Sequence, residues 1–167
     1  MITFVTGGKN EGKTTAMSLL FQRYDCGAGF ISPKRISTDS LPYYDIQSLA
    51  DGQRLPFIKP VKAKVSGWKE AYQYGPFSFS RGGLYFGKDI LQRALDNGAS
   101  PLFIDEIGLL ELDEKRGFYK ILKALLSQKK ELCIATRESF LMQIIHHFGI
   151  ANYQIIEASE MLKQTKR

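Results

Sequence analysis

The sequence predicts an α/β fold: a three-layer sandwich built on a mainly parallel sheet, with a small antiparallel insertion. Three features predict it. Short apolar runs alternate with stretches of helical spacing, the pattern of strands joined by crossover helices. The first apolar run passes through a Gly-rich turn directly into a helical stretch. Residues 51–83 interrupt the alternation with a text dense in Gly, Pro, Lys and aromatics, which reads as short antiparallel strands and loops. At 167 residues the chain has the length of one domain, residues 1–167, since domains commonly run about 100–200 residues.

Each element follows in order. Ile2-Thr3-Phe4-Val5-Thr6 reads as the first strand, and residues 13–23 as the first helix. A second strand, 28–32, follows Gly27. Pro33, Ser37, Asp39, Ser40 and Pro42 mark a turn-rich excursion before Tyr43-Tyr44-Asp45-Ile46, which alternates as a half-exposed strand. Helical spacing returns over 84–95, where Ile90, Leu91, Ala94 and Leu95 share a face and Asn97-Gly98 supplies the stop. Residues 101–105 form a buried strand. Phe118, Ile121, Leu122, Leu125 and Leu126 give core spacing to a helix over 118–128. Residues 132–136 are another strand, a helix striped by Phe140, Leu141, Ile144, Ile145 and Phe148 follows, and 153–157 close the sheet. His146-His147 has no acid or Cys cluster beside it and reads as a structural or surface pair.

Composition excludes several classes. An apolar fraction of 44% and a charged fraction of 24% are those of an ordinary globular protein, not of a disordered chain. No apolar run approaches the roughly 18 residues of a membrane span, so no membrane partner is expected. The chain opens on a strand without a basic n-region, so no signal peptide is expected and the cytoplasm is the predicted address. Cys26 and Cys133 lack metal-type spacing and read as two reduced, buried thiols. A formal charge of +6 invites a polyanion partner. Its distribution argues otherwise: Lys59, Lys62, Lys64 and Lys69 are scattered, and Lys163, Lys166 and Arg167 form a frayed tail. A solvated basic surface is expected, with nucleic acid the disfavoured partner.

The chemistry concentrates in two places. Gly7-Gly8-Lys9-Asn10-Glu11-Gly12-Lys13-Thr14 fits the Walker A pattern G-x-x-x-x-G-K-[ST] without a gap, with a strand before it and a helix after it. Gly7 and Gly12 permit backbone angles and close approach that a side chain would block. The loop amides and the helix N-terminus then face phosphate oxygens. Lys13 reaches the β- and γ-phosphates, the Thr14 hydroxyl is the expected Mg²⁺ ligand, and Thr15 contacts the α-phosphate or simply starts the helix. Pro101-Leu102-Phe103-Ile104-Asp105-Glu106 supplies a Walker B strand ending in acids. Asp105 is the expected Mg²⁺-side carboxylate, and Glu106 can orient and deprotonate water for attack on the γ-phosphate. Three residues carry softer signals. Glu111 either orients a cation near the site or is an exposed acid at a helix start. Arg137, after Thr136, either senses the γ-phosphate or lies on the surface, and Arg35 either touches phosphate or a partner or is equally plain.

Asp105-Glu106-Ile107-Gly108 followed by Leu109-Leu110-Glu111-Leu112 resembles the D-E-I-G-x-x-E-L block of the thermophile-type nucleoside triphosphatases, the family that includes the human cancer-related NTPase. Gly29-Phe30 before a polar loop, and Tyr74-Gly75-Pro76-Phe77-Ser78-Phe79 before a helix, are similar to further landmarks of that family. The resemblance implies a P-loop NTPase fold and slow hydrolysis of ATP, GTP or related nucleotides to diphosphate and phosphate. It also implies phosphate-binding roles for Gly7 through Thr15, and metal and catalytic roles for Asp105 and Glu106. Two departures suggest a divergent bacterial branch. Gly8-Lys9-Asn10 stands where the family has Pro-Gly, and Ile31-Ser32-Pro33-Lys34-Arg35 lacks the acid of a Thr-Glu-x-x-Arg segment.

The expectation is therefore a Mg²⁺-dependent nucleoside triphosphatase, with a nucleoside triphosphate as substrate and Lys13 and Glu106 as its catalytic residues. A nucleotide or small-molecule kinase is one alternative, for which residues 51–83 offer Arg54 and several Lys but no lid pattern. A non-catalytic, nucleotide-dependent accessory module for cofactor biosynthesis or RNA handling is the other.

Overall fold

The computed structural model describes residues 1–35, 37 and 40–165. Asp39 of the turn-rich excursion, and Lys166 and Arg167 of the basic tail, lie outside the described residues. The strands are β1 (Ile2–Gly7), β2 (Ala28–Ile31), β3 (Lys34–Arg35), β4 (Tyr43–Ser48), β5 (Arg54–Pro60), β6 (Glu70–Tyr74), β7 (Phe77–Ser80), β8 (Leu102–Asp105), β9 (Leu132–Arg137) and β10 (Tyr153–Glu157). The helices are α1 (Lys13–Phe21), α2 (Arg81–Asp96), α3 (Leu109–Glu114), α4 (Tyr119–Ser127), α5 (Glu138–Phe148) and α6 (Ala158–Thr165).

All the strands join one sheet in the order β10-β1-β9-β8-β2-β4-β5-β7-β6, with β3 beside β4. From β10 to β2 the pairing is parallel. Beyond β2 it is antiparallel. The fold is α/β with a parallel core, as the alternation predicts. The antiparallel part is larger than residues 51–83, however. It starts at β3, ends at Ser80, and continues the main sheet.

Strand alternation sorts the core into two faces, because successive side chains point to opposite sides. Phe4, Leu102, Ile104, Leu132 and Ile134 pack on one side with Leu91, Leu122, Leu125 and Ile144 from α2, α4 and α5. Val5, Phe103, Cys133 and Ala135 point the other way, against Ala16, Met17 and Leu20 of α1 and Ala158 and Met161 of α6. Each fully buried Leu, Ile or Phe contributes about 1.5–3 kcal/mol from surface removed from water.

Several local expectations need correction. α2 begins at Arg81, not Leu84: Ser80 is its N-cap, accepting the Gly83 amide at 2.9 Å. α3, α6 and the short β3 add to the predicted elements. Lys163 belongs to α6, not to a frayed tail. Lys59 is buried rather than solvated, donating to the Ala63 carbonyl at 2.7 Å with its ammonium 5.5 Å from the Trp68 ring. Cys26 is exposed, in the turn before β2, while burial pushes the Cys133 thiol up to about 12. His146 and His147 are both on the surface. Among the described residues no helix is long and apolar enough to cross a membrane.

Candidate active site

Parallel register brings the chemistry together. Gly7 at the end of β1 stands beside Arg137 at the end of β9, and Asp105 at the end of β8 stands beside Ala135. Three strand ends from distant parts of the chain therefore meet at one edge of the sheet, where ligands of open α/β sheets bind. A cleft of about 680 Å³ opens there. It is lined by Lys9 through Thr15, by Asp105, Glu106, Glu111 and Arg137, and by aromatic residues of the antiparallel extension. A second cavity, of about 710 Å³, lies at the amino ends of the strands against Met1, Tyr119 and His147, away from the loop.

The loop between β1 and α1 takes a shape that its sequence explains. Asn10 has φ 63 and Gly12 φ 84, both left-handed. Asn tolerates that region better than most side chains, which lets it serve without a glycine. Gly12 has a second constraint: a Cβ there would stand 2.5 Å from Leu162 Cδ1 of α6. Lys13 is buried, and its ammonium donates to the Gly8 carbonyl at 2.8 Å and the Gly7 carbonyl at 3.3 Å. It also stands 3.7 Å from Glu106 Oε2. The Gly8 amide donates to Glu11 Oε2 at 2.5 Å, so a carboxylate sits inside the loop.

The acids at the end of β8 have separate surroundings. Asp105 is 2% exposed and accepts from the Thr14 hydroxyl at 2.7 Å and the Ser32 amide at 3.0 Å. Burial raises its carboxyl above the ordinary range, opposed by Ser32, Thr14 and Lys13. Glu106, joined to Asp105 by a cis peptide, is half-buried between two cations, with Arg137 Nε 3.6 Å from its Oε1. Burial again raises it, while Lys13 and Arg137 pull it down. A hard-oxygen pair of Thr14 and Asp105 suits Mg²⁺, which takes one or two protein ligands and leaves other positions to phosphates and water.

The three softer candidates separate. Arg137 reaches the cleft, whereas its neighbour Thr136 is fully buried in the sheet. Glu111 is buried, not exposed, and pairs with no cation among the described residues. Its two oxygens accept the Gly108 amide at 3.1 Å and the Phe118 amide at 3.0 Å, which ties the start of α3 to the start of α4. Arg35 turns away: its Nε is 4.0 Å from Asp45 and its guanidinium lies over the Tyr43 ring at 5.0 Å. Its neighbour Lys34 lines the cleft instead, along with Ser32, Tyr44 and Phe140. Sequence reading missed those four. Only the strand alternation of Tyr43 to Ile46 could have marked Tyr44, by placing it and Tyr43 on opposite faces.

The chain matches the family model described as NTPase over residues 2–160. Among solved structures it resembles THEP1 from the hyperthermophile Aquifex aeolicus, at 18% identity and a TM-score of 0.67, covering 95% of this chain and 90% of that one. It also resembles a human cancer-related nucleoside triphosphatase, at 16% identity and a TM-score of 0.61, covering 99% and 94%. These likenesses establish a shared fold. No curated protein matches the chain in sequence.

Proposed function

The chain belongs to the NTPase family, and from that premise we propose that it hydrolyses ATP- and GTP-type nucleotides to diphosphate and phosphate in a Mg²⁺-dependent reaction. The observation that carries the reading is the position of Glu106: a half-buried carboxylate at the end of β8, between Lys13 and Arg137. The loop amides from Gly8 to Thr15 would hold the phosphates. Lys13 is already confined by two loop carbonyls, so its charge is fixed where the β- and γ-phosphates would lie. Glu106 would orient water and accept its proton during in-line attack on the γ-phosphorus. Arg137 would face charge developing on the transferred group. Thr14 and Asp105 would hold Mg²⁺, which supplies charge neutralisation at the β- and γ-oxygens when bound.

Phosphate release from several triphosphates tests this reading. Lys13→Ala should lower the rate about 10²–10³-fold, the scale of losing one preorganised charge stabiliser. Glu106→Gln should lower it about 10²–10⁴-fold, the scale of general-base catalysis, while triphosphate binding persists. Equal rates in wild type and both variants would overturn the assignment.

A further inference from the structure

Hydrolysis needs only a water beside the γ-phosphate, and a water accounts for about 30 Å³ of liquid volume. The cleft of about 680 Å³ includes the space along Lys9 to Thr15 that the triphosphate would take, and it continues from there to an aromatic wall. The direction of the triphosphate decides which part of that room is unassigned. Lys13 approaches Glu106 at 3.7 Å, so the γ-phosphate end lies on the Glu106 side. The α-phosphate and nucleoside would then leave past Thr15, the next exposed residue of α1.

The wall on the Glu106 side is aromatic. Tyr44 meets Phe77 edge to face at 6.4 Å between centroids. Burial first, and then the charge of Glu106, raise the Tyr44 phenol, while Arg137 lowers it. Phe140 lies beside Arg137, ring centroid to guanidinium 5.7 Å. Lys34, which has no ion pair among the described residues, lines the same cleft next to Ser32. The far rim is fastened in place. Tyr74, at the tip of the β6–β7 hairpin, donates to Asp113 of α3 at 2.5 Å, and Arg116 covers the Tyr72 ring at 5.1 Å. Flat apolar faces, a bridged rim and a lysine with no ion pair among the described residues go beyond what a water nucleophile needs, and they suit a ring-shaped ligand.

We propose that this aromatic half of the cleft is a second-substrate subsite for a nucleoside-sized planar ring compound, whose primary hydroxyl accepts the γ-phosphoryl group in place of water. The inference rests on the triphosphate site described above. The acceptor's hydroxyl oxygen attacks the γ-phosphorus in line, and the bond from that phosphorus to the β,γ-bridging oxygen breaks. The hydroxyl proton passes to Glu106 and then to solvent. The products are a nucleoside diphosphate and the acceptor's phosphate monoester, whose charge Lys34 and Arg137 face.

The test supplies γ-³²P-labelled ATP to the full chain, alone and with adenosine, guanosine, cytidine or uridine, and separates inorganic phosphate from labelled monophosphate. At least one nucleoside should divert the label, with monophosphate forming about tenfold faster than phosphate. Phe77→Ala should cut that transfer about tenfold, the scale of one lost stacking face. Phe77→Leu, which keeps apolar bulk without the flat face, serves if the alanine variant unfolds. Phosphate release with no labelled monophosphate from any of the four overturns the subsite and leaves hydrolysis standing. Monophosphate without phosphate release in the acceptor-free reaction supports the subsite and overturns hydrolysis. If Phe77→Ala instead raises KM for ATP in the absence of nucleoside, and no monophosphate forms, the wall holds the donor's own base and the subsite is overturned.

Discussion

Glu11 is the residue whose behaviour is least expected of a phosphate-binding loop. Its carboxylate accepts the Gly8 amide, a donor that the loop would otherwise offer to an anion. A bound triphosphate meets both a competing acceptor and a like charge there. Glu11→Ala should therefore tighten triphosphate binding, lowering KM by roughly threefold or more, the scale of one exposed hydrogen bond. An unchanged or raised KM in steady-state kinetics would show that Glu11 helps to hold the loop in shape instead. The same residue-scale reasoning separates Arg137 from Arg35. Both end or follow strands, and only the one whose strand runs parallel beside β1 arrives at the loop.

At the scale of elements, α3 is held by a buried acid. Glu111 satisfies the amides of Gly108 and Phe118, and burial raises its carboxyl to about 7 against a model-peptide value of 4.5. Between those two values the folded chain holds a proton that the unfolded chain has released. Stability contributed by this group is therefore full below about 4.5 and declines as pH rises toward 7, by on the order of 3 kcal/mol. Denaturant unfolding at pH 5 and at pH 7.5 should show that decline in wild type. Glu111→Gln should flatten it, and should also cost about 1–3 kcal/mol at pH 5 because one of the two amides loses its acceptor. The start of α2 shows another element-scale constraint. Gly83 and Gly87 of α2 leave no room for a side chain against the sheet. A Cβ at Gly83 would stand 2.8 Å from Phe57 Cδ2, and one at Gly87 2.6 Å from Ile46 Cδ1.

At the scale of the whole molecule, the antiparallel extension and the parallel core meet across the cleft. Tyr74 and Asp113 join them at the rim through a solvent-exposed hydrogen bond. Tyr74→Phe should leave the thermal midpoint within about 3 °C, because an exposed hydrogen bond contributes roughly 1 kcal/mol or less. Amide exchange at the hairpin tip should nevertheless quicken, and unchanged exchange there would show that the rim is held by packing alone. Much of this architecture was legible beforehand. The loop from Gly7 to Thr15 and the acids at 105–106 could be read because local spacing dictates them, as it does the alternation of strands and helices. The extension could not: β5 lies between β4 and β7 although it contains Pro56 and Pro60, residues that propensity excludes from a central strand. The β4–β5 register shifts beside Pro56, where Phe57 is the extra residue between Ile58, paired with Tyr44, and Pro56, paired with Asp45. The Gly-rich turn from Gly7 to Thr15, the acidic end of β8 and the parallel core were readable from residue order alone, because each is encoded within a few consecutive residues. The pairing of Arg137 rather than Arg35 with Glu106, the burial of Glu111, and the meeting of Tyr44, Phe77 and Lys34 in one cleft came from the three-dimensional arrangement. Those meetings depend on strand order and register between segments far apart in the chain, which no local pattern records.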